Sequence, residues 1–216
     1  MLKLGEKSIK SLYLGSKAIS KAYLGDKLVF KTKNYTEVEY LESTGEQWID
    51  IGTTIDTSTD EIELYFQLTE TNNYKWFFGE YDTNARLGLG SGDGANKRNF
   101  LYQQSATKVK DVDFYDKKHC YLINSDGGFI DSSKIVNYIS FSSTSTLYLF
   151  NINIDSTSNY KCKCKVWAYR QKRNGVLIRD FIPVLDKDNV PCMYDKVTKQ
   201  FFYNKGSGEF LYGKVV

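Results

Sequence analysis

Short stretches rich in β-branched and aromatic residues recur along this chain, separated by clusters of Asn, Asp, Ser, Thr and Gly. No window places apolar side chains at the 3.6-residue spacing of an amphipathic helix. This punctuation is the strongest constraint on the fold. Val38–Leu41, Gln47–Ile51, Glu61–Leu68, Trp76–Gly79, Cys120–Ile123, Leu147–Phe150 and Lys165–Tyr169 read as strands. Ser125-Asp126-Gly127-Gly128 and Ser142–Ser145 read as turns. Asn174-Gly175 joins Trp167–Arg173 to Val176–Ile182 and predicts a hairpin, because both residues tolerate positive φ. Turns at intervals of about 8–15 residues argue for an all-β sandwich.

The composition supplies the core and narrows the chemistry. With 41% hydrophobic and 15% aromatic residues, the 216-residue chain can bury a sizeable interior. His119 is the single histidine, so any Ser/His/Asp or Cys/His mechanism would have to run through it. No apolar run reaches 18 residues, and no transmembrane helix or membrane insertion is expected. The opening Met1–Lys7 lacks the apolar stretch of a signal peptide, which predicts synthesis in the cytoplasm. In that compartment Cys120, Cys162, Cys164 and Cys192 read as reduced packing thiols. Their C-x-C spacing does not match the C-x₂-C knuckle of a zinc site, and neither metal nor cofactor is expected.

The N-terminus carries a repeat of period ten, Leu-Gly-x-Lys-x-[Ile/Val], at Leu4–Ile9, Leu14–Ile19 and Leu24–Val29. One short strand between successive glycines would make a three-stranded meander or a short solenoid turn. Eight lysines against Glu6 and Asp26 give residues 1–33 about +6, leaving about −3 elsewhere in a chain of net +3. A module of residues 1–34 is too short to bury a core of its own. Its apolar residues, Leu14, Ile19, Tyr23 and Leu24 among them, are expected at an attachment interface, the alternative being a β extension packed on the following domain, with residues 35–216 forming that main domain.

Catalytic motifs are tested and rejected. The Gly88–Arg98 segment lacks G-x-x-x-x-G-K-[ST] and any βαβ context, and reads as a loop between strands. The nearest approach to the Glu-x-Asp-x-x-Glu strand of laminarinase-type glycosidases is Glu61–Phe66, where Phe66 replaces an acid that the hydrolysis requires. Asp186 and Asp188 lie in an apparent loop with no reason to act together. Lys161, Lys163 and Lys165 alternate with Cys162, Cys164 and Val166, as on a strand with one solvated face; an anion-binding patch is the alternative.

Tyr40-Leu41-Glu42-Ser43-Thr44-Gly45-Glu46-Gln47-Trp48-Ile49-Asp50-Ile51-Gly52 resembles the opening of a concanavalin A-like (LamG-like) jelly-roll family common in phages and prophages. Asn174–Val184, Met193–Asn204 and Gly206–Phe210 resemble its close, and the Leu-Gly-x-Lys repeats resemble modules that precede it. Phe78-Gly79-Glu80-Tyr81 departs from the Phe-Gly-Ala-Arg usual there. The resemblance implies a jelly-roll sandwich in a non-enzymatic virion protein of tail fibre, baseplate or head. The N-terminal module would bind other virion proteins, the chain would be a homo-oligomer (a trimer), and the sandwich would bind a host-surface carbohydrate. No nucleic acid is expected as a partner. A structural domain without sugar affinity is the alternative, and a glycoside hydrolase a more distant one. Sugar binding wants an aromatic platform beside planar or charged donors, which points to Tyr81, Arg86, Asn96, Arg98 and Tyr102; the alternative is that Trp76 and Phe78 alternate into the core and leave Phe77 and Tyr81 outward on their own. Arg179-Asp180 and Tyr194-Asp195 read as structural, the latter closing a hairpin with Gly206–Phe210.

Overall fold

A computed structural model describes residues 3–4, 7–9, 11–31, 33–70, 75–82, 86–91, 99–103, 106–110, 114–115, 117–154 and 160–216, with 3–4, 7–8, 28, 30–31, 99–103 and 106–110 described by backbone alone. The described residues form strands and turns throughout, as the turn punctuation predicts.

The repeats form three separate two-stranded hairpins. They pair β1 (Lys3–Leu4) with β2 (Lys7–Ser8), β3 (Leu12–Leu14) with β4 (Lys17–Ile19), and β5 (Lys21–Leu24) with β6 (Lys27–Lys31). The expected meander is corrected here: Gly15-Ser16 and Gly25-Asp26 are turns within hairpins, not joins between single strands. Gly15 and Gly25 adopt φ of 62° and 58°, while Ser16 and Asp26 do not enter the positive-φ region. That is the pattern of a two-residue II′ turn, in which glycine is required at the first position. Ten residues therefore hold two strands and one turn.

The remaining strands build two antiparallel sheets. In chain order they are β7 (Thr36–Glu37), β8 (Leu41–Glu42), β9 (Ile49–Asp50), β10 (Asp60–Leu68), β11 (Lys75–Tyr81), β12 (Arg86–Ser91), β13 (Asn99–Gln103), β14 (Ala106–Lys110), β15 (His119–Asn124) and β16 (Gly127–Ile130). They continue as β17 (Ser133–Asn137), β18 (Tyr148–Leu149), β19 (Cys164–Arg173), β20 (Val176–Leu185), β21 (Pro191–Asp195), β22 (Phe201–Phe202) and β23 (Leu211–Tyr212). The smaller sheet runs β14-β13-β12-β11-β18-β9, and the larger runs β17-β16-β15-β10-β19-β20-β21-β22. No strand of the hairpins pairs with either sheet among the described residues.

Strict alternation makes the core. Ile62, Leu64, Phe66 and Leu68 of β10 are buried, and the residues between them are half-buried on the opposite face. Phe66 stacks on Phe77 with ring centroids 4.5 Å apart, with Phe114 edge-on at 5.0 Å. Phe78 meets Tyr121 and Tyr169 at 6.2 and 5.9 Å. The two sheets thus join through aromatic contacts into one sandwich core.

The predicted hairpin forms as expected. Asn174 and Gly175 carry φ of 51° and 75°, the two positive values of a I′ turn, between β19 and β20. Further along, those strands diverge. β8 pairs with β19 at Lys165–Val166, and β7 pairs with β20 at Val184–Leu185. β23 adds to β8, so both ends of the sandwich domain lie in one wedge.

Candidate functional site

The sequence-predicted sugar site falls on the smaller sheet. Tyr81 and Arg86 close the β11–β12 ladder opposite each other, and the Arg86 guanidinium lies 4.0 Å from the Tyr81 ring centroid. Tyr102 is in β13, opposite Gly88 and Thr107. Asn96 and Arg98 lie outside the described residues. Of the five, the structure brings two together.

Two expectations for this region are corrected. Gly88–Ser91 belongs to strand β12, not to a loop. Its glycines are there because the Trp76 indole lies on the backbone: a Cβ on Gly88 would stand 2.7 Å from Trp76 Cζ3, and one on Gly90 2.9 Å from Cε3. Of the alternative inward pair, Phe78 is buried as expected, but Trp76 is only half-buried and Phe77 is buried as well. The β11–β12 register shifts between Trp76 and Phe78, so consecutive Phe77 and Phe78 are both fully buried. Glu80 beneath this edge is fully buried too, and Ser143 donates to its Oε2 at 2.7 Å. Burial, aided by the Asp82 charge, pushes the Glu80 carboxyl up to about 7.

A second aromatic cluster lies on the outer face of the larger sheet, where no site was expected. Glu61, Glu63, Tyr65 and Gln67 form the outward row of β10, and Tyr65 is the one ring in that polar row. The β10–β19 register shifts between Tyr65 and Phe66, which leaves Trp167 as the extra residue on β19. Trp167 meets Tyr40 from the wedge with ring centroids 5.2 Å apart. Exposed Lys118 places Nζ 5.6 Å from both the Tyr65 and Trp167 centroids. Lys165 Nζ lies 4.5 Å over Tyr40 and 3.8 Å from Glu42. Tyr65 hydroxyl donates to Glu63, which holds the phenol protonated well above its ordinary range. Arg170 neutralises Glu63 at 3.0 Å and reaches Asp180 at 3.2 Å. Sequence reading missed this site because Tyr40 belongs to a structural segment and Trp167 to a bulge. The lone aromatic in an outward polar row was the available signal.

The residues of the resemblance form a clasp. Gln47 accepts from the Thr44 N–H at 2.8 Å and donates to the Ser207 carbonyl at 3.2 Å. Asn204 accepts from the Trp48 N–H at 3.1 Å and donates to the Gly208 carbonyl at 2.8 Å. Arg179 donates to the carbonyls of Ile51 and Gly52 at 3.1 and 3.2 Å. Fully buried Asp195 accepts from the N–H groups of Asp180 and Val197 at 3.0 Å each. The hairpin partner of β21 is β22, not Gly206–Phe210, which instead meets the 46–48 segment.

The remaining acids and lysines are engaged locally. Glu61 pairs with Lys172 at 2.5 Å, while Phe66 is in the core. Asp186 accepts from the N–H groups of Asp188 and Val190 at 2.9 Å each, shaping its own turn. Lys161, Lys163 and Lys165 each face a glutamate, Glu46, Glu70 and Glu42, so that row is internally neutralised. The four cysteines are unbridged, with Cys162, Cys164 and Cys192 buried. No protein-family model matches the chain, and no curated protein matches its sequence.

Proposed function

We propose that this chain is a non-enzymatic structural protein of a phage particle, attached through its hairpin repeats and presenting a jelly-roll sandwich to a host-surface carbohydrate. The observation that carries the attachment reading is on the hairpins. Tyr13, Leu14, Tyr23 and Leu24 are 63, 76, 57 and 75% exposed, at equivalent positions of consecutive repeats. Of the residues expected at the interface, Leu14, Tyr23 and Leu24 are thus open, while Ile19 is half-buried opposite Leu12. A repeated apolar pair left in water is stabilised when a second surface covers it. Other virion proteins and further copies of the chain, as a trimer, are the proposed partners.

Light scattering on the full-length protein tests this reading. An oligomer that dissociates when Leu14 and Leu24 are changed to Ser supports it; a strict monomer at high concentration overturns it. The carbohydrate part is tested separately on a glycan array. Reproducible binding supports it, and a blank array favours the reading without sugar affinity, for which the structural engagement of the clasp residues speaks.

A further inference from the structure

We infer that the outer face of the larger sheet, at Tyr40, Tyr65, Lys118, Trp167 and Lys165, is a binding surface for a sparsely charged acidic polysaccharide of the uronate type. The inference rests on the carbohydrate part of the proposed function and moves the site away from Tyr81 and Arg86.

Three features lead there. The first is an alternation of rings and ammonium groups across neighbouring segments: Tyr65 on β10, Lys118 between it and Trp167 on β19, Tyr40 beside Trp167, then Lys165. Aromatic faces take the C–H faces of pyranose rings, and an ammonium takes a carboxylate through charge-assisted hydrogen bonds. A chain whose sugar faces are interrupted by carboxylates presents both chemistries at once.

The second feature is that Lys118 is available. It is exposed and makes no ion pair among the described residues, whereas Lys117 beside it approaches Asp131 and Lys165 is shared with Glu42. At 5.6 Å from two centroids, its ammonium is oriented by the rings without being neutralised. A carboxylate arriving there displaces no ion-pair partner among the described residues.

The third feature is the sparseness of unengaged cations on the platform, which selects against dense polyanions. Glu42, Glu61, Glu63 and Asp180 lie on or beside this face and already engage Lys165, Lys172, Arg170 and Lys196. A nucleic acid, with a phosphate at every nucleotide, would have to compete with these carboxylates for most of the cations it met. A polysaccharide with separated carboxylates needs only the few cations that the face offers.

The experiment is calorimetric titration of the full-length protein with oligogalacturonate, a neutral β-glucan oligosaccharide and single-stranded oligo-dT. The parent is compared with Lys118→Glu and with the double variant Tyr81→Ala/Arg86→Ala, each checked for native near-UV circular dichroism. Oligogalacturonate should bind best, weaken with added salt, and lose about tenfold or more in Lys118→Glu. The double variant should bind as the parent does. Unchanged affinity in Lys118→Glu overturns the site. Binding of the neutral oligosaccharide that is lost only in the double variant also overturns it, while leaving the carbohydrate reading intact. Preference for oligo-dT overturns the ligand class, and no binding to oligogalacturonate overturns the uronate site, while the glycan array decides the carbohydrate reading separately.

Discussion

Glu80 shows how much one side chain can couple this fold to pH. Its carboxyl is buried beneath the Tyr81–Arg86 edge with Ser143 on one oxygen, and burial pushes it up to about 7 from an ordinary value of 4.5. In the window between those values the folded chain binds a proton that the unfolded chain releases. The stabilisation is therefore complete below about pH 4.5 and falls as pH rises towards about 7, by about 3 kcal/mol in all. Glu80→Gln keeps the shape and removes the titration. Urea unfolding at about pH 4 should find the variant close to the parent, and at about pH 8 should find it more stable by about 2–3 kcal/mol. An unchanged pH slope in the variant would assign the dependence elsewhere. The sequence reading marked Phe78-Gly79-Glu80-Tyr81 as a departure from the family that the chain resembles. Alternation from Phe78 puts Glu80 on the inward face, but the pattern does not show that Ser143, 63 residues away, is there to meet its carboxyl.

At the scale of elements, local signals were legible and register shifts were not. Asn174-Gly175 announces its turn because the constraint lies within two residues. The decapeptide glycines also announced turns, but the number of strands per repeat depends on where pairing begins, and composition leaves that open. Phe77 and Trp76 were assigned to the wrong faces because strict alternation was carried through a bulge. The glycines of β11 and β12 separate two kinds of requirement. Gly79 has φ 130°, and a Cβ would stand 1.9 Å from the Leu87 carbonyl oxygen, so both backbone strain and a backbone clash oppose any side chain. Gly88 instead meets the Trp76 ring, which can shift. Gly79→Ala should cost about 3 kcal/mol or more in urea unfolding, and Gly88→Ala about 1–2 kcal/mol with a change in tryptophan emission. Equal costs would mean that the indole is held as rigidly as the backbone.

Across the whole molecule, the sandwich is closed by pairings that no local pattern announces. β8 meets β19 and β23, and Arg179 reaches Ile51 and Gly52, all over long stretches of chain. The resemblance singled out these segments at both ends, and the structure shows why they go together: they clasp one another. Alternation and composition legibly gave the all-β class and most of the core, whereas the outer aromatic face emerged only once distant strands were adjacent.

Such closure predicts how the thiols report on unfolding. Cys162, Cys164 and Cys192 are at most 1% exposed, and burial raises Cys192 to about 12 and Cys164 well above its ordinary value. A thiol reagent reaches them only when the sandwich opens, since the thiolate is the reacting form and the sites exclude water. Cys120 differs. It is half-buried on the outer face, opposite Tyr65, and burial raises its pKa as well. Native protein treated with a thiol-specific chromogenic reagent should release one equivalent slowly, with the other three appearing at the rate of global unfolding. Mass spectrometry should place the first label on Cys120. Early label on Cys162, Cys164 or Cys192 would show that the clasp opens without the rest of the sandwich. Because Cys120 faces Tyr65 across the β10–β15 ladder, oligogalacturonate bound on the outer face should also slow that first equivalent and leave the later three unaffected.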